Sequence, residues 1–393
     1  MDEAGSRSTT DKDVQQSKGN TVKKRALLSL VTAGVMVAGL AACSGGGGTG
    51  DGEGGGGIIG VAMPTKSSER WIADGKAVKE ALESQGYQVD LQYAEDDIPT
   101  QVSQIENMIT KGAEALIIAS IDGTTLTNIL QDAADAEIPV IAYDRLLMDT
   151  ENVDYYATFD NALVGRQQGW SVLNGLGLTE LDGTPIDGAP EGPFNIELFA
   201  GSLDDNNAFF FFDGAMEVLQ PFIDDGTIVV KSNQTDIEQA ATLRWDGETA
   251  QSRMEDLLAT NYSDGTQVDA VLSPYDGISR GIISALQDAG YSVGDDWPTI
   301  SGQDAEIDSV KAINSGEQYA TIFKDTRELA KKAAGMAIAA LNGDEVETND
   351  TSTYNNNVKD VPSYLLQPIT VVKDGIQKEL IDTGYWTEED VNG

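Results

Sequence analysis

From Ile58 onward the apolar residues follow two alternating rhythms. Short runs with almost no polar interruption, at 58–63, 115–119 and 139–143, and an alternating run at 89–93, are separated by stretches in which apolar positions recur every three or four residues. The second kind includes 67–85, with Trp71, Ile72, Val78, Ala81 and Leu82 on one side. It also includes the segments carrying Ile98, Val102, Ile105, Met108 and Ile109, and Leu126, Ile129, Leu130 and Ala133. The runs predict strands and the periodic stretches predict amphipathic helices. Strands that are apolar on both faces and alternate with helices predict a parallel sheet covered on both sides. The pattern repeats with strand candidates at 194–199, 227–231, 268–273, 299–302 and 319–323. Between the two series lies 178–193, rich in Gly, Pro and Asp, which reads as a surface loop near a crossing point. The last runs, 364–366 and 369–372, are free to join either sheet. The expectation is an α/β protein with two doubly wound parallel sheets bracketing a cleft.

The chain before Ile58 has a different character. Lys23, Lys24 and Arg25 precede an apolar run, 26–40, and then Leu40-Ala41-Ala42-Cys43. A basic cluster, a short apolar stretch and small residues before a cut form the physical signature of a secretory signal, and the run is too short to span a bilayer comfortably. The chain is expected to leave the cytoplasm. Leu-Ala-Ala-Cys also resembles the bacterial lipobox, so 1–43 reads as a lipoprotein signal segment, with cleavage ahead of Cys43 and lipidation of that cysteine as the new N-terminus. Residues 44–57 are mostly glycine and predict a flexible tether, with order beginning at Ile58.

Composition narrows the chemistry. Against 25 Lys and Arg stand 65 Asp and Glu, a formal charge of −40, with no histidine and one cysteine. A chain this acidic lacks the clustered cations that drive nucleic-acid binding. Without histidine there is no His/Cys zinc site and no Ser-His-Asp or Cys-His nucleophile, and one cysteine forms no intrachain disulfide. No cofactor or metal is expected. The stretch DTSTYNNNVKD from Asp350 has spaced oxygens but lacks the central Gly and terminal Glu of a calcium loop, so it reads as a solvated linker.

In open parallel sheets ligands sit outside the carboxyl ends of the strands. At those positions the sequence carries Lys66, Asp144-Arg145, Asp204-Asp205-Asn206-Asn207, Tyr275-Asp276, Gln303-Asp304 and Lys324-Asp325. Carboxylates interleaved with amides and cations suit sugar hydroxyls, each of which donates one hydrogen bond and accepts others. The apolar face of a pyranose wants an aromatic plane, and Trp71 and Trp245, each beside an arginine, are candidates for the walls. Helical geometry sends only some of Phe209 to Phe212 toward such a slot, the others into the core.

Several stretches carry a family resemblance. They are IIGVAMPTKSSERW from Ile58, SIDGTT from Ser120, IAYDR ending at Arg145, YYATFDN ending at Asn161, GSLDDNNAFFFFDGAM ending at Met216, SPYDG ending at Gly277, SGQDAE ending at Glu306 and IFKDT ending at Thr326. From about Ile58 to the C-terminus the chain resembles bacterial multiple-sugar-binding proteins, the substrate-binding components of ABC importers for xylose, glucose, galactose or arabinose, of the type I periplasmic-binding fold. The resemblance implies two α/β lobes joined by three hinge strands, drawn here as 58–161 plus 303–330 and 162–302 plus 331–393. It implies a sugar site of Lys66, Arg70, Trp71, Asp144 and Arg145 from one lobe, Asp205, Asn207, Trp245 and Asp276 from the other, and Asp304 and Lys324 near the crossovers. Where relatives commonly have proline two residues after the tryptophan, this chain has Gly247.

The implied function is capture of an aldopyranose by a monomeric receptor, closure of the lobes and delivery to a membrane permease. A receptor presenting its closed form to a sensor kinase is the alternative. A glycosidase would need a carboxylic acid of raised pKa, whereas the site carboxylates have cationic or amide neighbours. A transcription regulator of this fold would need a basic DNA-binding segment where this chain carries a signal sequence.

Overall fold

The computed structural model describes residues 56–294 and 296–393. The signal segment, Cys43 and most of the tether lie outside the described residues. Gly56 and Gly57, expected in the tether, are already paired: the Gly56 N–H donates to the Gly86 carbonyl at 2.9 Å, and the Gly57 carbonyl accepts from Gln88 N–H at 3.1 Å.

The first series of runs forms β1 (Ile58–Met63), α1 (Glu69–Glu83), β2 (Gln88–Tyr93), α2 (Ile98–Thr110), β3 (Ala113–Ile118), α3 (Thr127–Asp135) and β4 (Val140–Tyr143). A strand the apolar runs did not mark, β5 (Tyr155–Phe159), follows. The chain then builds α4 (Asn161–Gly175), β6 (Phe194–Leu198), α5 (Asn207–Asp224), β7 (Ile228–Val230), α6 (Ile237–Ala240), α7 (Gly247–Asn261), β8 (Ala270–Leu272), α8 (Asp276–Asp288), β9 (Thr299–Ile300), α9 (Ile307–Ser315) and β10 (Ala320–Phe323). It finishes with α10 (Thr326–Asn342), β11 (Ser363–Leu366), β12 (Ile369–Val372) and α11 (Glu388–Asn392).

One parallel sheet has the order β11-β5-β4-β3-β1-β2 and the other the order β7-β6-β8-β9. The interior strands are buried on both faces, as continuous apolar runs require: Ile59, Val61, Leu116, Ile117 and Ile141 are each fully buried. At the far edge of the second sheet, Ile322 N–H donates to the Gly302 carbonyl at 3.1 Å and Asp304 N–H to the Ile322 carbonyl at 2.9 Å. These bonds align β10 beside the chain leaving β9, and β12 closes that edge antiparallel to β10.

The chain crosses between the two layered bodies three times: from β5 to α4, from β10 to α10 and from β11 to β12. The expected boundaries need correction at the later crossings. Residues 303–325 stay with the second sheet, where α9 packs against α8. Residues 331–342, expected in the second lobe, return to the first, because the small apolar face of α10 (Leu329, Ala330, Ala333, Ala334, Ala337) lies flat on β3, β4, β5 and α1. β11, likewise expected in the second lobe, pairs parallel with β5. The stretch from Asp350 is not a solvated linker throughout. Tyr354 and Asn356 are buried, and Asn356 Nδ2 donates to the carbonyls of Leu147 at 3.0 Å and Thr150 at 2.8 Å.

Candidate functional site

A cavity of about 410 Å³ opens where the carboxyl ends of the two sheets face each other. Local backbone geometry aims its side chains. Asp144, Arg244, Trp245 and Asp304 all have positive φ (58°, 57°, 58° and 92°), a conformation L-residues adopt at a cost and which clusters at functional sites. At Asp144 this turns the backbone carbonyl toward Tyr156 Oη (2.5 Å), Thr158 Oγ1 (3.1 Å) and Asn207 Nδ2 (2.7 Å), all of which donate to it. The side chain is thereby left facing the cavity.

Arg70 and Trp71 stand in the first turn of α1. A guanidinium is disfavoured there by the helix dipole, so its partners must outweigh both that and burial. Arg70 donates to Asp144 through Nη2 at 2.5 Å and Nη1 at 3.1 Å, pairs with Asp74 through Nε at 3.0 Å, and lies 3.5 Å from Asp304. Lys324, at the end of β10, sits 3.1 Å from Asp304 and 3.7 Å from Asp144. Across the cleft, Arg145 Nε meets Asp205 at 3.1 Å, and the Asp205 carboxylate accepts from Asn207 N–H at 2.9 Å. The guanidinium carbons of Arg70 and Arg145 lie 4.9 Å and 5.1 Å from the centre of the Trp71 ring.

Trp245 is positioned by close backbone approach. A Cβ on Gly201 would stand 2.1 Å from its ring, so the loop after β6 must carry glycine for the indole to lie flat. Phe211 and Tyr275 meet the Trp245 ring edgewise at 6.2 Å and 6.3 Å. Phe211 reaches the cavity because α4 and α5 touch through glycines: a Cβ on Gly165 would lie 2.2 Å from the Phe211 carbonyl. Of the other phenylalanines of this run, Phe212 enters the core of the second lobe, Phe210 packs on Tyr354 at 5.0 Å, and Phe209 is exposed.

The structure thus gathers Arg70, Trp71, Asp144, Arg145, Asp205, Asn207, Trp245, Asp304 and Lys324 around one cavity. It does not bring Lys66 and Asp276 there. The Lys66 ammonium is more than half exposed, 3.8 Å from Glu95 and 5.0 Å from the Tyr93 ring centre. Asp276 is fully buried beneath the cavity, where its carboxylate accepts from Gln318 Nε2 (2.8 Å), Glu306 N–H (3.0 Å) and Thr321 Oγ1 (3.2 Å). Its neighbour Tyr275 takes the place on the wall. Arg244, Phe211 and Gln303 also line the cavity. Each adjoins or falls within a segment the sequence singled out, but only backbone direction tells which member of a pair faces inward.

Comparison with known proteins gives this geometry its context. Residues 59–345 match the family model described as a periplasmic binding protein domain. The chain belongs to this family. It is 56% identical to the multiple sugar-binding periplasmic receptor ChvE of Rhizobium radiobacter over 84% of this chain and 91% of that protein. It is 36% identical to the D-xylose-binding periplasmic protein of Escherichia coli K12 over 85% and 92%. Among solved structures, it resembles an ABC transporter solute binding protein from Clostridium phytofermentans with bound β-D-glucose, with a TM-score of 0.80, 46% identity, and coverage of 85% of this chain and 99% of that one.

Electrostatics divides the acids of this family member into two kinds. Burial pushes Asp144 upward, but Arg70 and Lys324 overcome it and hold the carboxyl well below its usual range. Burial dominates at Asp74, Asp276 and Asp205. Asp74 is pushed up to about 7 despite Arg70, Asp276 is pushed up to about 8 by burial and by Glu306, and Asp205 is also raised.

A raised acid binds a proton in the folded state that the unfolded chain releases near pH 4, so its stabilising contribution is full below that value and disappears as pH rises through about 8. Asp144 acts oppositely, contributing above pH 4 and losing that contribution in stronger acid. Thermal unfolding is therefore expected at progressively lower temperature between pH 5 and pH 8, levelling off above that. Asp276→Asn, which cannot ionise, should flatten that fall; an unchanged slope in calorimetric melts would show that Asp276 does not titrate in this range.

Proposed function

We propose that this protein is a lipid-anchored extracytoplasmic receptor that captures one monosaccharide between two closing lobes and delivers it to the permease of an ABC importer. The observation that carries the reading is the ring of alternating charges at one cavity: carboxylates of Asp144, Asp205 and Asp304 interleaved with Arg70, Arg145, Lys324 and the Asn207 amide, flanked by Trp71 and Trp245. Each pyranose hydroxyl finds an ionic acceptor on one side and a donor on the other, while the indoles cover the C–H faces. The relatives named for sugar binding, D-xylose binding and bound β-D-glucose support aldopyranoses as the ligand class.

The mechanism follows from where the wall residues come from. Arg70, Asp144 and Arg145 belong to the first lobe, while Asp205, Asn207, Trp245, Asp304 and Lys324 belong to the second or its crossing strand. A sugar that touches both sets gains the full contact energy only when the lobes are shut, so it shifts the population toward the closed form by that difference in affinity. The Arg145 to Asp205 ion pair and the hydrogen bond from Asn207 to the Asp144 carbonyl are links of the same closed state. The permease then reads the closed shape. In this reading the protein acts as a monomer, Cys43 carries the lipid, and the glycine-rich segment holds the receptor near the membrane.

The test is calorimetric titration of unacylated protein, residues 44–393, with xylose, glucose, galactose, arabinose and ribose, with tryptophan fluorescence recorded alongside. One-to-one binding at about 1 μM or tighter, near −8 kcal/mol, with an intensity change from the cavity indoles is expected for at least one aldopyranose. Silence across all five sugars would sink the reading.

A further inference from the structure

The cavity is longer than the chamber formed by the charged ring. Beyond Tyr275 it continues outward along α8 as far as Ser284. At a rise of about 1.5 Å per residue, the stretch from Gly277 to Ser284 extends the lining by roughly 10 Å, more than the length of one further sugar ring.

This outer part has a distinct construction. α7 and α8 are pressed together through glycines: a Cβ on Gly281 would lie 2.1 Å from the Gly247 carbonyl, and one on Gly247 2.7 Å from the Gly277 carbonyl. The contact leaves a shelf with bare backbone at its centre. Gln251, Arg280 and Ser284 edge it, facing Ser67 and Ser68 of the loop after β1. Glu306 ties the two sides: its Oε1 accepts from Ser68 Oγ at 2.9 Å and Tyr275 Oη at 2.7 Å, and its Oε2 from Arg280 at 2.6 Å. Arg280 is fixed further by Ser309 Oγ at 3.0 Å. Apart from glycine, the edging side chains are donors and acceptors, which suits hydroxyls and offers little to an apolar group. Gly247 lies at the centre of this shelf.

We propose that the site takes a sugar carrying a second hydroxylated unit, a disaccharide or a glycoside with a polar substituent, with one ring in the charged chamber and the second unit on the shelf between α7 and α8. The inference rests on the sugar-receptor reading and extends it.

It is tested by titrating the 44–393 protein with its best monosaccharide and with xylobiose, cellobiose, lactose and melibiose, then repeating with Ser284→Trp and Gln251→Trp. Both substitutions put bulk on the shelf without touching the charged chamber, and two variants guard against one that fails to fold. At least one disaccharide should bind within tenfold of the monosaccharide. The tryptophan variants should weaken that disaccharide tenfold or more while holding the monosaccharide within twofold. If every disaccharide binds more than tenfold weaker than the monosaccharide, or the folded variants weaken both ligands alike, the shelf is not a subsite and the receptor reading stands. If no sugar of either kind binds, the receptor reading falls with it.

Discussion

Asp144→Ala is expected to abolish measurable sugar binding and to lower the unfolding free energy by about 3–5 kcal/mol, the cost of removing one partner from a buried ion pair. The Asp144 carboxylate takes two hydrogen bonds from Arg70 and lies 3.7 Å from Lys324, and these cations are only 5% and 1% exposed. Without it they depend on Asp304 and on Asp74, whose carboxyl, pushed up to about 7, is only partly charged at neutral pH. Alanine adds strain of its own, because position 144 has a φ of 58° that a short polar side chain tolerates better. Asp144→Asn therefore separates charge from backbone: it should retain the turn and still lose most of the stability. Urea unfolding and calorimetry read both effects. A loss below about 1 kcal/mol for both variants would mean that solvent screens the two cations, as at an exposed pair.

Asp304→Ala should weaken sugar binding at least tenfold while the protein stays folded. Asp304 Oδ1 lies 3.1 Å from Lys324 and 3.5 Å from Arg70, and among the described residues it has no hydrogen-bond donor in good geometry. It is buried on the cavity wall, and under the proposed function a sugar hydroxyl is the donor to it. Deleting the carboxylate leaves that hydroxyl and the Lys324 ammonium short of a partner, a cost of about 1–3 kcal/mol, and 1.4 kcal/mol is a factor of ten in affinity. Asp144 still pairs with both cations, which is why the fold should survive. Because position 304 has a φ of 92°, Asp304→Asn serves as the control that spares the backbone. Affinity unchanged in both variants, with circular dichroism confirming the fold, would remove Asp304 from the binding site.

The sequence by itself determined the kind of most elements, β5 excepted. Runs such as Ile58 to Met63, short and set between helical stretches, read as strands buried on both faces, and Arg70 and Trp71 fall near the start of the helix that follows. The charged pairs at strand ends had to reach the carboxyl edge of a sheet, because a parallel sheet gathers those ends on one side. These are consequences of local periodicity, which a single chain displays in full.

Tertiary structure decided which sheet each late element joins and which way each end residue turns. β5 reads weakly because it gains its partners from β4 and from β11, far along the chain. α10 went to the first sheet because its alanine face fits α1 and the strands beneath, a match between two surfaces that neither sequence segment displays alone. Lys66 turned to Glu95 and Asp276 turned beneath the cavity to meet Gln318 and the Glu306 amide, while Tyr275 took the wall. A single backbone dihedral sets such a direction, and its value depends on the packing of neighbours brought from elsewhere. Periodicity fixes what a residue is part of; only the folded surroundings fix where its side chain points.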